Sequence, residues 1–222
     1  MDWRAAVDIY CERTGPEFWS EPLNAVTNLA FVVAAILPYR AMRREGGRDA
    51  LLTLLCGIAL CIGIGSFLFH TFAERWAGLA DVIPILLFIV VFLHAAMLRL
   101  FRLSWPLAIL ATVLAFGASL PARDLAMAAT GSTLNGSVSY MPAFALLAGS
   151  ALALALLRRP SARPVAVAAA VFAVSLTART LDADLCPAIP AGTHFLWHLL
   201  NGTMIGILLF ALQRYGPPLN RP

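Results

Sequence analysis

The sequence contains no lysine: its sixteen basic residues are all arginines, set against twelve acidic residues and four histidines. Charged residues make up 13% of its 222 positions, about half the share of an ordinary soluble domain, which carries about 25%. That scarcity excludes a water-covered surface. With 60% hydrophobic residues and a mean hydropathy of +0.81, the bilayer is the simplest solvent. There is no heptad repeat, no glycine-rich phosphate loop and no low-complexity tract, which excludes a coiled coil and a nucleotide cradle. The first twenty-odd residues lack the basic-then-apolar order of a secretory signal, so no cleaved leader is predicted. The net charge of +4 lies on arginines mostly between apolar runs and reads as a topology signal. No nucleic acid and no protein partner is predicted. The lysine-free, Ala- and Arg-rich composition is that of a GC-rich bacterial genome.

What the chain does have is long apolar runs: Leu23 to Tyr39, Leu51 to His70, Ala77 to Leu100, Trp105 to Leu120, Tyr140 to Leu157, Pro164 to Thr180 and Thr193 to Leu212. Each is near the ~20 residues that cross a bilayer as a helix, and an open sheet cannot satisfy its backbone there. The predicted fold is an all-α integral membrane protein with seven transmembrane helices, one domain over 1–222, and an acidic amino-terminal segment, 1–22, outside the membrane. The fourth and sixth runs are short enough to leave six spans plus a re-entrant segment open. One side of the membrane receives Arg40, Arg43, Arg44, Arg48, Arg99, Arg102, Arg158, Arg159, Arg163, Arg214 and Arg221; the other receives Arg4, Arg13, Arg75, Arg123 and Arg179. This asymmetry places the amino terminus outside and the carboxyl terminus in the cytoplasm, as in a bacterial inner membrane with the outer ends toward the periplasm.

Ionisable groups inside spans are costly and mark sites. His70 closes the second span, Asp81 lies near the start of the third, and His194 with His198 opens the seventh, so all four fall at one depth on the outer side. The i, i+4 spacing of His194 and His198 puts both imidazoles on one helical face. With His70 they form a set of three ligands suited to a catalytic zinc. Asp81 follows His70 by eleven residues, room for one short turn, and can serve as general base and acid; otherwise it caps its helix. Ser66 sits one turn before His70 and can hold an oxyanion, or simply bond back to its own helix. His94, thirteen residues after Asp81, is about 20 Å further along the helix and is not a ligand. Asn24 and Asn28 share a face and are predicted to bond neighbouring helices. Cys56 and Cys61 read as apolar filler in the second span.

The combination Ser66-x3-His70, Asp81 and His194-x3-His198 on seven helices resembles the alkaline ceramidases, and more widely the CREST superfamily of membrane hydrolases. The likeness extends to Tyr10-Cys11-Glu12 and to the run from Phe18 to Asn28. The resemblance implies a zinc-dependent amidase that cleaves the N-acyl bond of ceramide or a related lipid within the bilayer. It makes His70, His194 and His198 the zinc ligands and Asp81 and Ser66 the catalytic residues. It also implies a calcium ion held by the amino-terminal segment, with Asp8, Glu12 and Glu21 as ligands, although Ile9 stands where the family has its leading Asp and Thr14 replaces a ligating Asn. A disulfide between Cys11 and Cys186 is a further implication. The alternatives are a receptor-like or channel-like protein with structural zinc, and a CREST-type lipid esterase.

Overall fold

The computed structural model describes residues 2–216, so Arg221 lies outside the described residues. The helices are α1 (Pro22–Thr27), α2 (Leu29–Arg44), α3 (Ala50–Phe72), α4 (Arg75–Arg99), α5 (Trp105–Ser119), α6 (Pro121–Thr130), α7 (Met141–Leu156), α8 (Ala162–Leu185) and α9 (His194–Tyr215), with a 3-10 turn at Ser137–Tyr140. They make seven helical stretches long and apolar enough to cross a membrane, since α1 with α2 and α5 with α6 each form one. No strand is present among the described residues.

The fourth and sixth stretches, Trp105–Thr130 and Ala162–Leu185, are longer than the sequence reading gave them, and the re-entrant alternative falls away. Pro121 does not end the fourth. It occupies the first turn of α6, where its missing N–H costs nothing, and Leu120 before it keeps a helical backbone. The sixth continues past Thr180 because Arg179 and Asp182 are buried inside the bundle. Arg179, counted from sequence as an outer-side topology charge, is thus a buried residue of the bundle.

Large aliphatic side chains point outward along every span, Leu156 at 75% exposure among them. This is the surface expected where lipid is the solvent. Inside, α3 packs against α4, α8 against α9, and α9 against α2. Two glycines make the closest helix-to-helix approaches. A Cβ on Gly202 of α9 would meet Ala30 at 2.6 Å, and one on Gly65 of α3 would stand 2.0 Å from the carbonyl oxygen of Ala80 in α4. That second contact brings Asp81 against the Ser66 turn. Gly65→Ala is accordingly expected to destabilise the protein by about 1–3 kcal/mol and to displace Asp81. Gly57→Ala, which meets nothing within 4 Å, should leave the melting temperature unchanged; thermal melts of the two variants in detergent check this.

One end of the bundle is held by Asp49, which accepts from the Leu52 N–H to cap α3 and pairs with Arg99 at 2.8 Å. Arg99 also donates to the Gly216 carbonyl. At the other end, α3 and α4 are joined by only two residues, with Ala73 in the left-handed region. The amino-terminal segment lies across that turn, through an Ala6–Glu74 bridge and a bond from the Val7 N–H to the Ala73 carbonyl. It then crosses to the α8–α9 loop, where Cys11 is disulfide-bonded to Cys186. A bond between residues that flank the first six spans requires an even number of crossings between them, which seven spans in all provide.

Candidate metal centre

Three imidazoles converge at that end of the bundle. His70 comes from the last turn of α3, His194 is the first residue of α9, and His198 follows one turn later. Each is 1% exposed, and one ring nitrogen from each lies within 4.8 Å of the others. Among the described residues this is the one group of three or more His, Cys, Asp or Glu side chains so placed. His94 stands apart, with Nδ1 3.3 Å from the Thr112 hydroxyl.

The surrounding hydrogen bonds fix two of the rings. His70 Nδ1 lies 2.6 Å from Glu21 Oε2, a carboxylate that can only accept, so the imidazole donates there and its Nε2 lone pair is free. His198 Nδ1 lies 3.0 Å from Thr27 Oγ1, whose single proton is directed at the Leu23 carbonyl 2.7 Å away. The threonine oxygen thus accepts from His198, which again frees Nε2. These tautomers are assigned from the network. A carboxylate or hydroxyl holding the far nitrogen of a histidine is the usual outer support of a metal ligand. His194 completes the set: its Nδ1 is buried and has no hydrogen-bond partner. This donor set fits a zinc ion.

Several of the supports were not legible as such. Asp182 of α8 accepts from the Thr193 and His194 N–H groups at 2.7 and 2.8 Å and from the Cys11 N–H at 3.1 Å. One buried carboxylate thereby caps α9 at its first ligand and ties down the amino-terminal segment. Tyr10 stacks on His194 with ring centroids 3.7 Å apart, and its hydroxyl accepts from Arg179 at 3.0 Å. Burial raises the Tyr10 pKa above that of a free phenol, against the opposing charge and hydrogen bond of Arg179, so the ring stays neutral. The Arg179 guanidinium rests over the faces of Tyr10, Tyr140 and Trp197 at 5.3–5.5 Å. The only sequence signal for Arg179 and Asp182 was charge close to the end of a span.

Asp81 is buried in the second turn of α4, and its Oδ1 has no hydrogen-bond partner. Ser66 is buried one turn before His70 on α3, next to the Gly65–Ala80 approach that brings this part of α4 close. Asp81 does not cap its helix, which begins at Arg75.

The three carboxylates expected to hold calcium, Asp8, Glu12 and Glu21, are not gathered together. Asp8 is exposed. Glu12 accepts from the Leu23 and Asn24 N–H groups at 2.7 and 2.8 Å, capping α1. Glu21 is buried between Arg13, Asn24 and His70. Burial alone would raise its pKa, but the hydrogen bond and charge of His70, with the Asn24 and Arg13 hydrogen bonds, outweigh that and hold it below the usual carboxylate range. Arg13, read from sequence as a topology charge, is a buried part of this network. Asn24 and Asn28 bond their own turns, to Glu21 and to the Asn24 carbonyl, and not the neighbouring helices that sequence had suggested. Their short amide side chains reach local acceptors first. Cys56 is buried as expected of filler, whereas Cys61 faces outward.

Beside the imidazoles an apolar cleft runs down the bundle, enclosing about 930 Å³ of empty space with its open mouth included. Tyr140 and Trp197 line it at the end near the cluster, Phe88 and Phe172 along its length, and Leu100 and Leu208 toward the other end.

A family model described as Ceramidase matches residues 9–216. No curated protein matches the chain.

Proposed function

The chain belongs to the ceramidase family, and from that premise we propose that it is a zinc-dependent membrane hydrolase cleaving the N-acyl amide bond of ceramide or a related N-acylated lipid. One observation supports the proposal: three buried imidazoles with ring nitrogens within 4.8 Å of one another, two of them tied by their outer nitrogens to Glu21 and Thr27, stand beside an apolar cleft. His70, His194 and His198 would hold the zinc, which when bound polarises a carbonyl and acidifies water. The cleft takes the acyl chain and excludes water from it, leaving the amide carbonyl at the cluster. The Asp81 carboxylate removes the proton from the attacking water and delivers it to the leaving nitrogen. Ser66 donates its hydroxyl to the oxygen that gains charge as the carbonyl carbon becomes tetrahedral.

The reading places the site on the outer side of a bacterial inner membrane. The arginine asymmetry supports this and survives removal of the buried Arg13, Arg99 and Arg179. So does the disulfide, because thiols oxidise outside the cytoplasm. The decisive experiment is incubation of purified protein, its metal content measured, with matched N-acyl and O-acyl lipids and mass analysis of the products. Release of fatty acid from the amides supports the proposal, release from esters alone moves the chain to the lipid esterases, and turnover of neither favours a receptor-like or channel-like protein.

A further inference from the structure

The resemblance implied a calcium ion on the amino-terminal segment, and the residues present do not fit one. At its heart is a buried guanidinium. Arg13 donates from Nε to Glu21 Oε1 at 2.5 Å, from one terminal nitrogen to the Gly15 carbonyl at 3.0 Å, and from the other to the His70 carbonyl at 3.0 Å. A carboxylate and two backbone carbonyls are the hard oxygen ligands that calcium takes, but here they converge on a positive charge that already satisfies them. Glu12 is spent on two backbone N–H groups and Asp8 is exposed. A divalent ion has neither the space nor the free carboxylates to bind.

We infer that Arg13 is this chain's built-in cation, joining the amino-terminal segment to α3 in place of a divalent ion and positioning His70. It acts on His70 twice. One terminal nitrogen grips the His70 carbonyl at the end of α3, where the helix dipole favours a cation. The Nε–Glu21 pair aims the second carboxylate oxygen at His70 Nδ1. Being covalently attached and always charged, the guanidinium cannot be titrated or chelated away. The inference rests on these contacts and not on the presence of zinc.

The test is thermal melting and zinc affinity of the full-length protein, as wild type, Arg13→Ala and Arg13→Lys, each with chelator specific for calcium, with millimolar calcium chloride and with millimolar guanidinium chloride. Wild type should melt at the same temperature, within about 1 °C, with calcium or without it, since a ligand that does not bind cannot shift the melt. Arg13→Ala should bind zinc about 10- to 100-fold more weakly, the usual cost of losing a group that supports a metal ligand. Its melting temperature should rise with guanidinium or calcium, which fill the space vacated between Glu21 and the two carbonyls. Arg13→Lys keeps the charge but not the three-way fork, so its zinc affinity should also fall below wild type. A saturable rise of the wild-type melting temperature with calcium overturns the inference, as does wild-type zinc affinity in both variants. If Arg13→Ala yields no folded protein, the wild-type calcium titration and Arg13→Lys still decide. If the chain binds no zinc at all, the zinc reading fails, while the calcium and guanidinium melts still report on Arg13.

Discussion

Asp81→Asn is expected to retain the metal content of wild type while losing about 10²- to 10⁴-fold in N-acyl lipid hydrolysis, the usual range for general acid–base help. The substitution is nearly isosteric, and the buried Oδ1 has no protein partner to lose, so folding should be spared. What disappears is the ability to carry a proton. An amine is a poor leaving group until it is protonated, whereas an alkoxide departs more readily, so the matched ester should be impaired less. Ser66→Ala should slow both substrates alike, because each passes through an oxyanion that loses the same donor. Single-turnover hydrolysis of matched amide and ester lipids, with metal measured in every variant, reads all of these effects. Wild-type amide turnover in Asp81→Asn would reduce the aspartate to a packing group and assign the proton transfer to another residue.

Replacing His70, His194 or His198 with Ala should remove both bound zinc and activity, whereas His94→Ala should keep both. Each of the three supplies one of the clustered nitrogens, and two imidazoles are too few where a catalytic zinc takes three protein ligands. The variants should differ in stability. His70→Ala removes the shorter of the two hydrogen bonds to the buried Glu21 Oε2 and leaves it only the Asn24 amide, a loss of about 1.5–3 kcal/mol for a bond to a charged group, while His198→Ala frees only the Thr27 hydroxyl, which still has a carbonyl to bond. Elemental analysis and thermal melts of the four proteins check this; equal metal content in all four would sink the assignment.

The convergence of the histidines was legible in the sequence because it depends only on span parity and depth, which hydropathy fixes to within a turn. So was the exclusion of His94, which rests on helical rise alone. The work done by Glu21 was not. A carboxylate beside other acidic residues reads as a cation ligand, and only the fold reveals that Arg13 reaches it first and that its far oxygen faces an imidazole. Arg179 and Asp182 were obscured for a related reason. Hydropathy penalises a charge in a span without regard to its partners, so the sixth helix was ended at Thr180, although Asp182 is fully occupied by three N–H groups. Asn24 and Asn28 show the limit of face-sharing arguments, since both amides are captured by their own turns.

The Cys11–Cys186 bond makes a ring of most of the chain, its ends separated by 175 positions in sequence. During synthesis Cys186 emerges only after six spans have been made, and His194 and His198 follow it directly. Until then only one of the three imidazoles, that of His70, has been made. Closure of the ring sets the Cys11 N–H on Asp182, the same carboxylate that fixes the start of α9. The bond that seals the chain therefore also ties the segment carrying Arg13 and Glu21 to the carboxylate that caps the helix bearing His194 and His198, so one covalent link joins the two halves of the cluster.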